Sequence, residues 1–154
     1  MQTETTAADV VVEKEIDARP EIVFGYFVEP DKMVGWFGRE ASLEAHPGGV
    51  YRVRVNDQAH AMGEFVEVDP PRRVVFTFGW EGDPENGPGK GTVEVTLTPK
   101  GDGTLVRLIH RGLSGGTETE ESHRDGWQHY LDRLAIRVPG GDPGPDKNAT
   151  SPEM

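Results

Sequence analysis

The sequence has 154 residues, of which 34% are hydrophobic, and this is enough for one modest core, so we expect a single domain. Asp and Glu outnumber Lys and Arg by 27 to 16, and the formal charge of -11 disfavours nucleic acid and anionic membrane surfaces as partners. The absence of cysteine excludes disulfides, thiolate nucleophiles and thiolate metal sites.

Both ends of the chain are polar and contain many turn-forming residues. We predict a disordered lead over residues 1–8, a folded domain over residues 9–138 and a disordered tail rich in Pro and Gly over residues 139–154. No segment reaches the roughly 18 apolar residues of a membrane span, and the first residues lack the basic start and apolar run of a signal peptide. We therefore expect a cytoplasmic protein without membrane insertion.

The first predicted elements are a strand and two short helices. The valines of Val10–Ile16 indicate a strand. Pro20 is suited to a first helical position and Glu21 to the positive end of the helix dipole, so a helix begins there and must end before Pro30. A second short helical turn is predicted over residues 30–36.

From Arg39 onward the hydrophobic period changes to two, which indicates an antiparallel meander. Turn residues such as Gly, Pro, Asn and Asp separate its segments. Six further strands are predicted, over residues 41–46, 51–55, 62–68, 74–80, 92–98 and 105–111.

A long amphipathic helix is predicted over residues 117–138. Its apolar stripe recurs at steps of three and four residues and consists of His123, Trp127, Tyr130, Leu131, Leu134 and Val138. Such a stripe needs a sheet to lie on, and a sheet of this length must curl. The predicted class is therefore α+β, with the element order β-α-α-β-β-β-β-β-β-α.

Several segments resemble the helix-grip superfamily of START-like (SRPBCC) domains. They are GEFVEVDPPRRVVFTFGW over residues 63–80, Trp36-Phe37-Gly38, Gly48-Gly49 before Tyr51, and Gly126-Trp127 leading to Leu131 and Leu134. Within the superfamily, the sequence is most similar to the family of the activator of the heat-shock protein 90 ATPase, C-terminal domain. The resemblance covers about residues 10–138. It implies a helix-grip fold, in which a curved antiparallel sheet of about seven strands wraps around the C-terminal helix and leaves a hydrophobic cavity for apolar, lipid-like or amphipathic ligands.

Other candidate motifs carry no chemistry. Residues 82–92 (GDPENGPGKGT) have Pro84 where a phosphate loop needs its first glycine, and a strand follows rather than a helix. Gly101-Asp102-Gly103 is a hairpin turn and not a dinucleotide fingerprint. The five histidines, His46, His60, His110, His123 and His129, lack metal-ligand spacing. We expect no metal and no cofactor.

His110 and His123 are nevertheless predicted to enter one cavity. On the last strand His110 shares its parity with Val106 and Leu108, opposite to the charged Arg107, so it should face inward. His123 lies one helical turn before Trp127 on the inward stripe. The alternative is that each imidazole satisfies a local carbonyl or lies at the wet rim.

The aromatic residues are too many for a small domain to interdigitate completely, which favours a pocket lined by rings. The predicted ligand-binding residues are Trp36, Tyr51, Phe65, Phe76, Phe78, Trp80, His110, His123, Trp127 and Tyr130. We expect binding of a small apolar or amphipathic molecule, with no catalytic residue assigned. The alternatives are an enzyme of the cyclase or dehydratase kind that uses pocket histidines, and a module that interacts with a chaperone or with itself.

Overall fold

The computed structural model describes residues 9–114 and 116–144 of the chain. Within these residues the polypeptide forms a curved seven-stranded antiparallel sheet and three helices. The elements are β1 (Val10–Ile16), α1 (Pro20–Val28), α2 (Pro30–Met33), β2 (Glu40–Leu43), β3 (Val50–Arg54), β4 (His60–Asp69), β5 (Arg73–Trp80), β6 (Gly91–Lys100), β7 (Gly103–Arg111) and α3 (Gly116–Arg137). The predicted α+β class, element order and helix-grip architecture are confirmed.

Two predicted elements were too long. Strand β2 ends at Leu43 rather than at residue 46, because the His46 amide donates to the Glu44 carbonyl and turns the chain towards β3. Helix α2 ends at Met33 rather than at residue 36. After it, the amides of Gly35 and Trp36 donate to carbonyls three residues earlier, which makes tight turns instead of a continued α-helix.

The strands lie in the order β1-β7-β6-β5-β4-β3-β2, so neighbours along the chain are neighbours in the sheet except for β1, which returns to pair with β7. Side chains of one face form a continuous apolar row across the strands. Val12 pairs with Leu108, Leu108 with Val95, and Val95 with Val74. All four are buried, because alternate residues of each strand point to the same side. This concave face is where α3 lies.

Helix α3 packs its apolar stripe onto the sheet. Trp127, Tyr130, Leu131 and Leu134 are its buried residues, as the three- and four-residue spacing predicts. A salt bridge of 2.9 Å joins the Asp132 carboxylate to Lys14 of β1, and the Arg133 guanidinium donates to the Trp36 carbonyl at 3.1 Å. These polar contacts at its second half tie the helix both to the sheet edge and to the α1–α2 segment.

Part of the predicted tail is described and contacts α3. The Gly141 amide donates to the Ile136 carbonyl, and Arg133 Nη1 donates to the Gly144 carbonyl at 2.9 Å. Through these contacts, residues 139–144 turn back along the end of the helix. The predicted lead, residues 1–8, and residues 145–154 lie outside the described residues.

Strand β4 is irregular beside Gly63. A register shift separates Phe65 from Glu67, and the Glu64 amide donates to the Thr77 hydroxyl rather than to a backbone carbonyl. A Cβ atom at Gly63 would lie 1.9 Å from the Thr77 carbonyl oxygen, so only glycine allows β4 and β5 to approach as they do.

We expect Gly63→Ala to lower the free energy of unfolding by about 2–3 kcal/mol, because the backbone must move to relieve the overlap. The matched change Gly126→Ala places a Cβ in open space on α3 and should raise it by about 0.5–1 kcal/mol. Urea denaturation of both variants measures this. Equal effects of the two changes would contradict the assigned approach of β4 to β5.

Candidate functional site

A groove of about 830 Å³ opens between the first half of α3 and the concave face of the sheet. Its floor consists of aromatic rings, namely Phe37, Phe78, Trp80, Trp127 and Tyr130. Phe78 is the central ring, with centroids 5.4 Å from Trp80 and 5.5 Å from Trp127.

The edge of the groove is polar. On α3 it is formed by Glu118, Glu121, Ser122 and Asp125, and on the opposite side by the β3–β4 turn. That turn is built by Asn56, whose side-chain oxygen accepts hydrogen bonds from the amides of residues 58 and 59. The groove thus has an apolar floor and an acidic edge.

Two tryptophans of the floor donate hydrogen bonds to two histidines. Trp127 Nε1 donates to His110 Nδ1 at 3.0 Å, and Trp80 Nε1 donates to His123 Nε2 at 3.0 Å. The imidazole ring centroids lie 5.3 Å apart, in an edge-to-face arrangement. The two histidines predicted from strand parity and helical spacing are therefore adjacent, and each is paired with an indole.

These bonds fix the protonation of both imidazoles. An indole N–H can only donate, so His110 Nδ1 and His123 Nε2 must carry lone pairs. His123 Nδ1 lies 2.9 Å from the Thr119 carbonyl and must donate to it. His123 therefore carries its proton on Nδ1 and His110 carries its proton on Nε2.

The His110 Nε2–H has no hydrogen-bond partner among the described residues, although His110 is only 1% exposed. It faces a narrow void behind Trp80 and His123. A Cβ atom added at Gly91 would lie 2.9 Å from His110 Nε2. The void is too narrow for a water molecule. A buried donor without a partner costs about 1–3 kcal/mol, so this nitrogen is an unusual feature of the core.

Burial, together with a smaller contribution from the neighbouring His123, lowers the pKa of His110 from its ordinary value of 6.5 to about 3. Burial acts in this way because it penalises the charged imidazolium. The hydrogen bond from Trp127 has the same consequence, since a protonated Nδ1 could not accept it.

Four of the predicted ligand-binding residues lie outside the groove. The Tyr51 and Phe76 rings stack at 4.1 Å between centroids and Phe65 packs edge-on to both, so these three fill the core under β3–β5. The Trp36 ring packs on Phe27, and its Nε1 donates to the Tyr26 carbonyl at 2.9 Å. The structure therefore places these four rings in the core, away from the groove.

The structure places the other predicted residues around the groove. Phe78, Trp80, His123, Trp127 and Tyr130 line it, and His110 lies behind them at the narrow void. Sequence reasoning missed Phe37, the acidic edge and the β3–β4 turn. Phe37 lies next to Trp36, and Trp36 is the residue of this pair that the sequence predicts to bind a ligand. Only the turn after Met33 decides which of the two adjacent rings reaches the groove.

Among residues 9–114 and 116–144, no three His, Asp or Glu side chains are placed to hold a metal ion. In the same part of the chain, no helix has the length and apolar content needed to cross a bilayer.

Comparison with known proteins gives consistent matches. A family model described as Activator of Hsp90 ATPase homolog 1-like protein matches residues 17–138. A solved AHSA1-like protein from Rhizobium etli is 40% identical, covers 95% of this chain and 92% of its own, and has a TM-score of 0.68. CalU16 from Micromonospora echinospora is 28% identical, with 89% of this chain and 77% of that chain covered and a TM-score of 0.71.

DynU16, a protein of the dynemicin biosynthetic locus, is 25% identical with a TM-score of 0.77. The match covers 90% of this chain, and the chain spans 49% of the length of DynU16. No curated protein matches the chain.

The pKa of His110 predicts a pH dependence of stability. Between pH 6.5 and 3 the unfolded chain takes up a proton at His110 that the folded protein does not, so stability must fall as the pH falls through this window. For one such group the slope is about 1.4 kcal/mol per pH unit. Urea denaturation between pH 7 and 5 measures this slope, because most carboxylates have pKa values below this range.

The matched variant is His110→Asn, whose side-chain oxygen can accept from Trp127 but cannot titrate. We expect its free energy of unfolding to be about 2 kcal/mol less sensitive to the change from pH 7 to 5 than that of the unaltered protein. Parallel curves for the two proteins would show that His110 is protonated equally in the folded and unfolded states.

Proposed function

The chain belongs to the family of activator of Hsp90 ATPase homolog 1-like proteins, and we propose that this member binds a small apolar or amphipathic molecule in the groove between α3 and the sheet. We take residues 9–138 as the binding domain. The observation that carries the proposal is the groove itself, which combines a volume of about 830 Å³ with a floor of five aromatic rings. Small-molecule sites have volumes of roughly 300–1,000 Å³ and mostly apolar walls with a few polar groups.

The hydrogen bonding of the histidines favours binding over the cyclase or dehydratase alternative. A general base needs a lone pair within reach of the substrate proton. The lone pairs of His110 and His123 both accept indole N–H groups, and their remaining nitrogens carry protons. Burial also lowers the pKa of His110 to about 3, which makes it a weak base at neutral pH. As arranged, neither ring offers a free lone pair to a substrate.

The relatives support small-molecule binding in a limited way. DynU16 comes from a biosynthetic locus, so one similar chain is associated with small-molecule chemistry. A chaperone-directed role rests on the family description, and no feature of the groove requires it. We therefore rank ligand binding first.

Filling the groove should abolish binding. Gly126 lines the groove, and a Cβ there meets no atom within 4 Å, so the ring of Gly126→Phe can enter the space without disturbing the core. The matched control is Gln128→Phe, which puts the same ring on an exposed position of α3 outside the groove. The probe is N-phenyl-1-naphthylamine, a neutral apolar dye.

We expect saturable binding of this dye to the unaltered protein and to Gln128→Phe with a Kd in the micromolar range, about -8 kcal/mol. Gly126→Phe should weaken it at least tenfold while remaining folded by circular dichroism. Fluorescence titration measures the affinities, and urea should abolish the signal of every variant. Equal affinities of the two phenylalanine variants would place the dye elsewhere and remove the support for the groove.

A further inference from the structure

We propose that the ligand carries a neutral hydrogen-bond acceptor, such as the carbonyl oxygen of a ketone, ester or amide, and that this oxygen reaches His110 Nε2 when the indole of Trp80 swings aside. The inference rests on the proposed ligand binding and specifies the polar group that the site recognises. The oxygen would supply the partner that a buried donor lacks among the described residues, and Trp80 is the movable wall between that donor and the groove.

The donor is the Nε2–H of His110, a residue that is 1% exposed and whose Nε2 has no hydrogen-bond partner in the described part of the chain. The proton cannot shift to Nδ1, because Nδ1 accepts from the Trp127 indole N–H. Space in front of Nε2 exists because residue 91 is glycine, since a Cβ there would lie 2.9 Å from this nitrogen. Gly91 does not have the positive φ that would by itself favour glycine. The missing side chain at this position thus leaves room before the donor.

The side chains of Trp80 and His123 form the wall between this void and the groove, because both of them line the two spaces. Both are partly exposed, and one hydrogen bond of 3.0 Å joins them. On its other side the wall borders a recess of about 470 Å³ between residues 83–86 and the start of α3. The indole of Trp80 therefore has a space beside it that it can enter without displacing the core.

Trp80 is the part of the wall that can move. Its amide donates to the Asn86 carbonyl at 2.7 Å, so the backbone is fixed and only the side chain rotates. His123 is held in addition by its Nδ1, which donates to the Thr119 carbonyl. The Asn86 side chain donates to the Ser114 carbonyl and accepts from the Ser114 amide, both at 2.8 Å. Rotation of the indole would therefore join the void to the groove while these other walls stay in place.

The exchange of hydrogen bonds favours a ligand with an acceptor. When the indole moves, the Trp80 N–H and the lone pair of His123 Nε2 pass to water, because both side chains are partly exposed. In return the ligand oxygen accepts from His110 Nε2–H, and a buried donor gains more from a new partner than an exposed one loses. An ammonium group offers no acceptor, and a carboxylate would lose its hydration for a single donor. A neutral carbonyl oxygen is therefore the chemistry that matches this donor.

The test compares two neutral probes with the same naphthalene body. Prodan carries a ketone, and 2-dimethylamino-6-propylnaphthalene has a methylene group in place of that carbonyl. Because His110 Nε2–H is shielded from water, its proton should exchange slowly and give a separate proton NMR signal, which His110→Asn identifies by its loss. We expect saturating prodan to move this signal downfield, as a new hydrogen bond does, and the propyl probe to leave it nearly unchanged.

Two glycine variants test whether the void receives the oxygen. Gly91→Ala places a methyl group in front of Nε2, and also 3.0 Å from the Phe78 carbonyl oxygen, so it fills the void. The control Gly126→Ala adds the same group in the groove, where it meets no atom within 4 Å. The preference for prodan is the ratio of the two dissociation constants, in which effects common to both probes cancel. We expect this preference to fall about tenfold in Gly91→Ala and to change less than about twofold in Gly126→Ala.

A third variant tests the wall without a ligand. Trp80→Phe removes the N–H that binds His123 and keeps a ring at this position. Exchange of the His110 Nε2 proton for deuterium should become about fivefold faster, because opening no longer breaks this hydrogen bond. Exchange of the buried Trp127 indole proton should stay the same. Equal acceleration of both protons would show a general loosening of the core and would overturn the assignment of Trp80 as the movable wall.

The proposal is also overturned if prodan binds in the groove but leaves the His110 signal unmoved, if the propyl probe moves it equally, or if Gly91→Ala retains the preference. Failure of prodan to bind where N-phenyl-1-naphthylamine binds and is blocked by Gly126→Phe has the same meaning. These results leave the proposed function standing. If none of the three dyes binds in the groove, the proposed function fails and this inference fails with it. Circular dichroism verifies that each variant is folded, and the NMR comparison of the two probes in the unaltered protein decides if Gly91→Ala does not fold.

Discussion

One buried hydrogen bond, from Trp127 Nε1 to His110 Nδ1, joins α3 to β7 beneath the groove and orients the ring of Trp127. A buried indole needs an acceptor. The imidazole of His110 on β7 faces inward and provides one where the apolar stripe of α3 meets the sheet. This bond holds the ring of Trp127 beside Phe78 at the floor, and Trp80 and His123 repeat the same pairing closer to the surface. The groove lies between the helix and the strands, next to these two hydrogen-bonded pairs.

The energetic balance at His110 combines one satisfied and one unsatisfied nitrogen. A neutral hydrogen bond such as that from Trp127 contributes about 0.5–1.5 kcal/mol, whereas a buried donor without a partner costs about 1–3 kcal/mol. An apolar side chain at this position would remove the Nε2–H, but it would leave the buried Trp127 N–H without its acceptor. The imidazole therefore stabilises the core better than an apolar side chain would, although its Nε2–H faces a void too narrow for a water molecule.

Much of the fold could be predicted from the sequence because it rests on local periodicity. Alternating parity on β7 was sufficient to direct His110 inward, and three- and four-residue spacing was sufficient to identify the stripe of α3. The division of the aromatic residues into core and groove could not be predicted in this way. Tyr51 and Phe76 stack across strands that are not neighbours in sequence, and their ring contact depends on the curvature of the sheet.

The same limit applies to the acidic edge and to the indole–imidazole pairs. The edge carboxylates are polar positions of an amphipathic helix, and their lack of ion pairs is visible only once all neighbouring side chains are placed. The pairing of Trp80 with His123 joins residues 43 positions apart through side-chain geometry that no sequence pattern encodes. Strand and helix patterns thus determine which residues face inward, and packing determines which of them remain available to a ligand.

The two indole bonds are not equivalent in how a ligand can engage them. Trp127 is 5% exposed, so a ligand that displaced its N–H from His110 would leave it without water or another acceptor. Trp80 is partly exposed at the groove wall, and its N–H can be released to solvent. Breaking the Trp127 bond therefore costs more free energy than breaking the Trp80 bond, and the deeper pair is the more rigid part of the floor.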